Sequence, residues 1–113
     1  MRHINIQEDG KVNDIVPRSH HVSGTSLQGY VDVSYARLVE VFGEPNDVGD
    51  QYKIDVEWCI HTIDGDATIY NWKDGRNYLG EDGMDVEDIM DWHIGGMNKG
   101  VVHWVRKALG MVI

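Results

Sequence analysis

The chain has 113 residues, with 19 acidic and 10 basic side chains and a formal net charge of -9. Its length argues for one domain over residues 1–113, because two cores would each fall below the size that folds comfortably. Hydrophobic residues make up 42% and charged residues 26%, which excludes a disordered chain, and the acid excess argues against a general nucleic-acid binder.

Cys59 is the only cysteine, so an intrachain disulfide and a zinc site built on several thiolates are both excluded. Met1 to Gly10 is polar and lacks the apolar stretch of a secretory signal. No apolar run approaches the roughly 18 residues needed to span a bilayer. The expectation is a cytoplasmic protein with no membrane contact. Charge is unevenly placed: residues 1–43 carry five acids and four bases, 44–91 fourteen acids and three bases, and 92–113 three bases and no acid. The middle segment therefore stands at -11 and the C-terminal one at +3.

In chain order, His3-Ile4-Asn5-Ile6-Gln7 alternates as a short strand and Asp9-Gly10 follows as a turn. Residues 17–30 form a polar, Ser- and Gly-rich stretch leading into a strand at Tyr30–Val33. Ser34 then caps a helix whose apolar positions Tyr35, Leu38, Val39 and Phe42 fall at i, i+3, i+4 and i+7, with Gly43 and Pro45 ending it. From Tyr52 to Ile63 the period switches to two. Ile54, Val56, Trp58 and Ile60 share one face, and Lys53, Asp55, Glu57, Cys59 and His61 share the other. Asp64-Gly65 is a hairpin turn signal, and Ala67–Trp72 is the returning strand. A two-residue loop there sets Ile60 opposite Ile69 and Glu57 opposite Trp72, a register that a bulge would move. Residues 73–91 look loop-like and strongly acidic. Trp92-His93-Ile94 reads as a last strand before Gly95-Gly96. Asn98 caps a final helix through Val101, Val105, Ala108 and Leu109, with Lys99, Arg106 and Lys107 mostly on its outer face.

Several blocks recur together in a known order: Gly24-Thr25-Ser26-Leu27-Gln28-Gly29-Tyr30, Phe42-Gly43-Glu44-Pro45, Ala67-Thr68-Ile69-Tyr70-Asn71-Trp72-Lys73 and Trp92-His93-Ile94-Gly95-Gly96. In this order the chain resembles a group of small bacteriophage- and prophage-encoded proteins without an assigned activity, over roughly residues 24–109. The resemblance implies a phage or host-cell context and transfers no catalytic residue. Residues 74–91 look like an insertion relative to that group.

Six histidines, His3, His20, His21, His61, His93 and His103, invite a metal, but no His-x-x-x-His pair aims two of them at one ion. They read as surface or packed residues, and no metal or other cofactor is expected. Glu81 to Asp88 lacks the Asp-x-Asp-x-Asp-Gly register of a calcium loop and reads as solvated. Gly24-x-x-x-x-Gly29 has P-loop spacing, yet Tyr30-Val31 stands where the phosphate-reaching lysine and its hydroxyl neighbour belong. Ser23, Thr25 and Ser26 with their backbone amides remain able to hold a small polar or anionic ligand. No Gly-x-Ser-x-Gly surrounds a serine, and Cys59 between Trp58 and Ile60 reads as packing.

The aromatic residues carry more. Two helices on one sheet face would leave Tyr70, Trp72 and Trp92 partly exposed on the other. The fold expected is a single α+β domain, a mainly antiparallel sheet of about four strands with two short helices on one face, pairing as a homodimer. The function expected is a non-enzymatic phage accessory or interaction protein that binds a host protein or a small ligand. Ser26, Gln28, Glu57, Tyr70, Trp72 and His93 are the candidate binding residues, and none is assigned a catalytic role. A second reading is a small enzyme or nucleotide- or metabolite-binding module built on loop 19–29 with Glu57 and His93. A third is an acidic nucleic-acid mimic presenting residues 81–91 and 44–55.

Overall fold

In the computed structural model, which describes residues 3–14, 25–47 and 53–111, the strands are β1 (Ile4–Ile6), β2 (Val12–Asp14), β3 (Ser26–Asp32), β4 (Glu57–Thr62), β5 (Gly65–Tyr70) and β6 (Asp91–Gly96). They form one sheet in the order β2-β1-β4-β5-β6-β3. Helix α1 (Tyr35–Phe42) lies between β3 and β4 in the chain, the single turn α2 (Arg76–Leu79) follows β5, and α3 (Gly100–Ala108) follows β6.

The expected four-stranded antiparallel sheet with two helices is therefore corrected to a six-stranded mixed sheet with three. The short strand expected at His3–Gln7 forms as β1, and β2, which was not expected, pairs with it. The Asp9-Gly10 turn closes a hairpin, with Gln7 N–H donating to Lys11 O and Gly10 N–H to Gln7 O, both at 2.8 Å. That hairpin docks β1 parallel to β4, Ile4 beside Ile60 and Asn5 beside His61. Ile4 and Ile6 are buried by it. A three-residue strand with two apolar positions is too short to declare its neighbour from periodicity. The helix α2 contributes no buried residue, which is why no apolar stripe marks it.

One face of the sheet holds the core. Ile4, Ile6, Val31, Trp58, Ile60, Ala67, Ile69, Trp92 and Ile94 meet Leu38 and Phe42 of α1 and Val101 and Val105 of α3. Trp58 and Trp92 stack edge to face at 5.6 Å. Their indole N–H groups reach opposite ends of α1: Trp58 Nε1 donates to Gly43 O and Trp92 Nε1 to Val33 O, each at 2.9 Å. The sheet thus grips the helix at both termini and satisfies two polar groups that burial would otherwise penalise. Ser34 accepts from Arg37 N–H as the N-cap, as its position predicts. Trp92, expected near an exposed face, is fully buried, because its strand parity aligns with Ile94 and not with His93.

The central hairpin forms with its expected faces but a shifted register. Ile60 lies opposite Ala67 and Glu57 opposite Tyr70, and the loop is Ile63-Asp64. Thr62 decides this: its hydroxyl donates to Gly65 O at 2.6 Å and accepts from Asp64 N–H at 3.1 Å. Asp64 is then tied to the last helix region by Trp104 Nε1 at 2.7 Å and Asn98 Nδ2 at 3.2 Å. A shift of two residues keeps every side chain on its own face. Strand β3 begins at Ser26, earlier than expected, through a bulge between Leu27 and Gly29 against β6. Gly96 has no Cβ where one would sit 2.5 Å from Val101, so α3 packs directly on the strand ends. The predicted loop features at Ser23, Gly24, His20 and His21 lie outside the described residues. No helix of the described residues is long and apolar enough to cross a membrane.

Candidate functional site

The strand registers assemble a row on the sheet face opposite the core. Glu57 on β4 pairs with Tyr70 on β5, Tyr70 with His93 on β6, and His93 with Tyr30 on β3. These residues alternate with Trp58, Ile69, Trp92 and Val31, so burying the latter turns the former outward. Ring contacts knit the row: Tyr30 and His93 meet edge to face at 4.9 Å, and Tyr70 and His93 at 5.4 Å. Trp72, just past β5, lies 6.5 Å from His93 in a stacked orientation and 6.2 Å from Tyr70 edge to face. Tyr30 is 48% and Trp72 38% exposed, while Glu57, Tyr70 and His93 are half-buried. The Tyr70 hydroxyl is pushed above its ordinary pKa by burial first, then by Glu57 and Tyr30.

Trp72 owes its place to its neighbour. Asn71 is fully buried. Its Oδ1 accepts from Asp55 N–H at 2.8 Å and Val56 N–H at 3.3 Å. Its Nδ2 donates to Asp55 Oδ1 at 3.3 Å and Asp74 Oδ1 at 3.0 Å. The amide thereby joins the start of β4 to the segment leaving β5, and Lys73 N–H adds a 2.7 Å bond to Lys53 O. The ammonium groups of Lys53 and Lys73 lie 5.5 and 5.8 Å from the Trp72 ring.

Further along the same face, Asp47, Glu57 and Cys59 place their ligand atoms within 4.8 Å of one another, and these are the residues able to present a cation with mixed oxygen and sulfur donors. The Cys59 thiol donates to Asp47 Oδ2 at 3.4 Å. Burial, then the Glu57 and Asp47 charges, hold the thiol's pKa far above its ordinary value. This environment favours the protonated thiol over the thiolate that a nucleophile or a metal ligand needs. Asn46 clasps the strand beside it, with Nδ2 donating to Cys59 O and Oδ1 accepting from Cys59 N–H. His61 and Asp66 pair at 3.1 Å on the neighbouring row. No group of three His, Cys, Asp or Glu ligands forms in segment 81–91 among the described residues.

Ser26 and Gln28 do not join the row. Ser26 pairs with Gly96, whose missing Cβ faces Val101, so both lie on the helix side of the sheet. Gln28 Nε2 donates to Gly96 O at 3.0 Å and Ser26 Oγ at 3.2 Å. It lines a cleft of about 310 Å³ with Lys99, Val102, His103 and Arg106 of the last helix region. The convergence of Ser26 and Gln28 with Glu57 and His93 is thus replaced by two separate places. Arg106, expected on the outer face, turns back so that Nη2 donates to Tyr30 O at 3.0 Å. Lys107 likewise reaches Glu8 O at 2.9 Å. Long stems allow these heads to reach backbone carbonyls at the sheet's rim.

Tyr30 and Asp47 are the residues that sequence reasoning missed. Tyr30 has the parity of an outward strand position once β3 is extended back to Ser26, which is the signal that would have found it. Asp47 enters through an isolated bridge to Glu57 and leaves no periodic trace. Comparison with family models, curated proteins and solved structures yields no match to this chain.

Proposed function

We propose that this protein is an interaction module and not an enzyme, docking a basic segment of a partner protein on the sheet face opposite its core. The observation that carries this reading is the continuous row Glu57-Tyr70-His93-Tyr30 with Trp72 stacked at its end. Exposed aromatic rings side by side are what a partner's anchor residues pack against. Strand parity and pairing put Asp32, Asp47, Glu57, Asp66 and Asp91 on this same face. The rings of Tyr30, Tyr70 and His93, flanked by these carboxylates, favour guanidinium and ammonium groups through Coulomb attraction and cation–π contact, while Trp72, already beside Lys53 and Lys73, contributes apolar stacking surface. In the phage setting that the resemblance implies, the partner is a host protein.

The test titrates the full chain with short Lys/Arg-rich peptides and with Asp/Glu-rich controls, following NMR shifts of Tyr30, His93 and Trp72. Basic peptides should bind more tightly and lose affinity as salt rises. Tyr30→Ala and Trp72→Ala should each weaken binding by about tenfold or more with the melting temperature nearly unchanged. Equal binding of acidic peptides, or indifference to Tyr30→Ala, refutes the proposal. So does a wild-type dimer in sedimentation velocity that Tyr30→Ala dissociates, since a second copy would then occupy the face.

A further inference from the structure

We propose that the cleft between β3 and α3 binds a small molecule of the phosphate class, free or as an ester. It lies on the helix side of the sheet, so the proposal is independent of the partner-binding face. Lys99, Val102, His103 and Arg106 fall at i, i+3, i+4 and i+7 and form one stripe down the helix region, with Gln28 of β3 as the facing wall. Lys99 and Arg106 are cations, His103 adds an imidazole between them, and the lining contains no carboxylate. In a chain of net charge -9, a cleft lined only by cationic and neutral groups is a local reversal of sign.

The guanidinium is oriented but not saturated. Arg106 Nη2 is held by Tyr30 O, which fixes the planar group against the edge of β3. Its Nε is shut away from solvent and has no hydrogen-bond partner. Gln28 Nε2 is engaged by Gly96 O and Ser26 Oγ, so the wall opposite the stripe is rigid. One anchored guanidinium and one exposed ammonium with an imidazole between them suit a dianion whose several oxygens accept from separate donors at once. A dicarboxylate such as succinate also carries two charges, but it splits them between two separated planar groups and cannot converge its oxygens on one point between the donors. The volume of about 310 Å³ lies at the small end of ligand sites, which suits a phosphate or a small phosphate ester and not a large cofactor.

Inorganic phosphate, glycerol 3-phosphate and succinate are titrated separately into the full chain and followed by amide shifts of Lys99, Val102, His103 and Arg106. Both phosphates should shift these amides at millimolar concentration or below, and succinate should do so more weakly. Shifts with the ester alone also support the proposal and show that the body of the ligand fills the cleft. Lys99→Gln, at an exposed position with no side-chain cap, should weaken binding by about tenfold while the melting temperature holds. Arg106→Lys keeps the charge and should still weaken binding by losing the planar fork. The proposal is overturned if neither phosphate moves these amides, if succinate binds as well as phosphate, or if Lys99→Gln binds like the wild type.

Discussion

Replacing Asn71 with Ala tests whether one buried amide organises the approach to Trp72. The substitution removes the acceptor of two backbone N–H groups, at Asp55 and Val56, and the donor shared by the Asp55 and Asp74 carboxylates. A buried donor left without an acceptor costs about 1–3 kcal/mol. The Val56 bond is long at 3.3 Å and Asp55 is only half-buried, so water recovers part of the loss. A net destabilisation of about 2–4 kcal/mol follows. With an unfolding entropy of roughly 2.1 cal/mol/K per residue, that lowers the melting temperature by about 8–17 °C. Calorimetry and urea titration measure it. Asn71→Asp sharpens the test, because it keeps an acceptor but sets a third carboxylate against Asp55 and Asp74. It should be at least as damaging at neutral pH and recover part of its stability as pH falls into the carboxylate range, where protonation restores a donor. An alanine variant within about 1 kcal/mol of wild type would refute the reasoning, and so would an Asp variant whose deficit ignores pH.

Two further predictions concern the same region. The Cys59 pKa is raised in the fold, so the unfolded chain releases that proton first on alkalinisation. The contribution to stability is complete below the ordinary thiol value of 9.0 and declines as pH rises above it. Urea melts at several alkaline pH values should show that decline, and Cys59→Ala should flatten it; an unchanged slope in the variant contradicts the assignment. Gly83→Ala would place a Cβ 2.4 Å from Gly75 O and 2.7 Å from Arg76 Cα, both backbone atoms. The segment around α2 should open, at a cost of about 1–3 kcal/mol, seen as faster amide exchange at Met84, whose N–H bonds to Asp74 O.

What was legible in the sequence follows from which signals are local. Helix α1, its Ser34 cap and the alternating faces of the central hairpin arise from periodicity and capping within a few residues, and they appear where the pattern puts them. The hairpin register was misplaced because Gly65 pairs with Thr62 and leaves Ile63-Asp64 as the loop, a turn in which Asp64 is also held by Trp104 some forty residues away. The parallel docking of β1 on β4 is a meeting of two distant segments, for which no local spacing exists. Among the six candidate binding residues, Glu57, Tyr70 and His93 come together because strand parity governs all three, and Trp72, past the end of β5, joins them through the Asn71 clasp. Ser26 and Gln28 are parted from them by the bulge between Leu27 and Gly29, whose extra residue is invisible to an alternation count. The cationic stripe at 99, 102, 103 and 106 has helical spacing in plain view. Its meaning depends on α3 lying along β3, and that contact is tertiary.

The parallel seam between β1 and β4 also sets an order of events. The β1–β2 hairpin is synthesised well before its neighbour, for the strand it must lie beside begins at Glu57, and the turn that supports that strand is not complete until Gly65. Until then Ile4 and Ile6 have no surface to enter, so this hairpin docks late relative to its own synthesis, after β4 and its turn have formed. A piece that joins late across a narrow seam is also one that can be supplied separately. Residues 1–14 offered as a free peptide to a chain beginning after them should reconstitute the sheet, turning the seam into a point where this protein can be divided and rejoined.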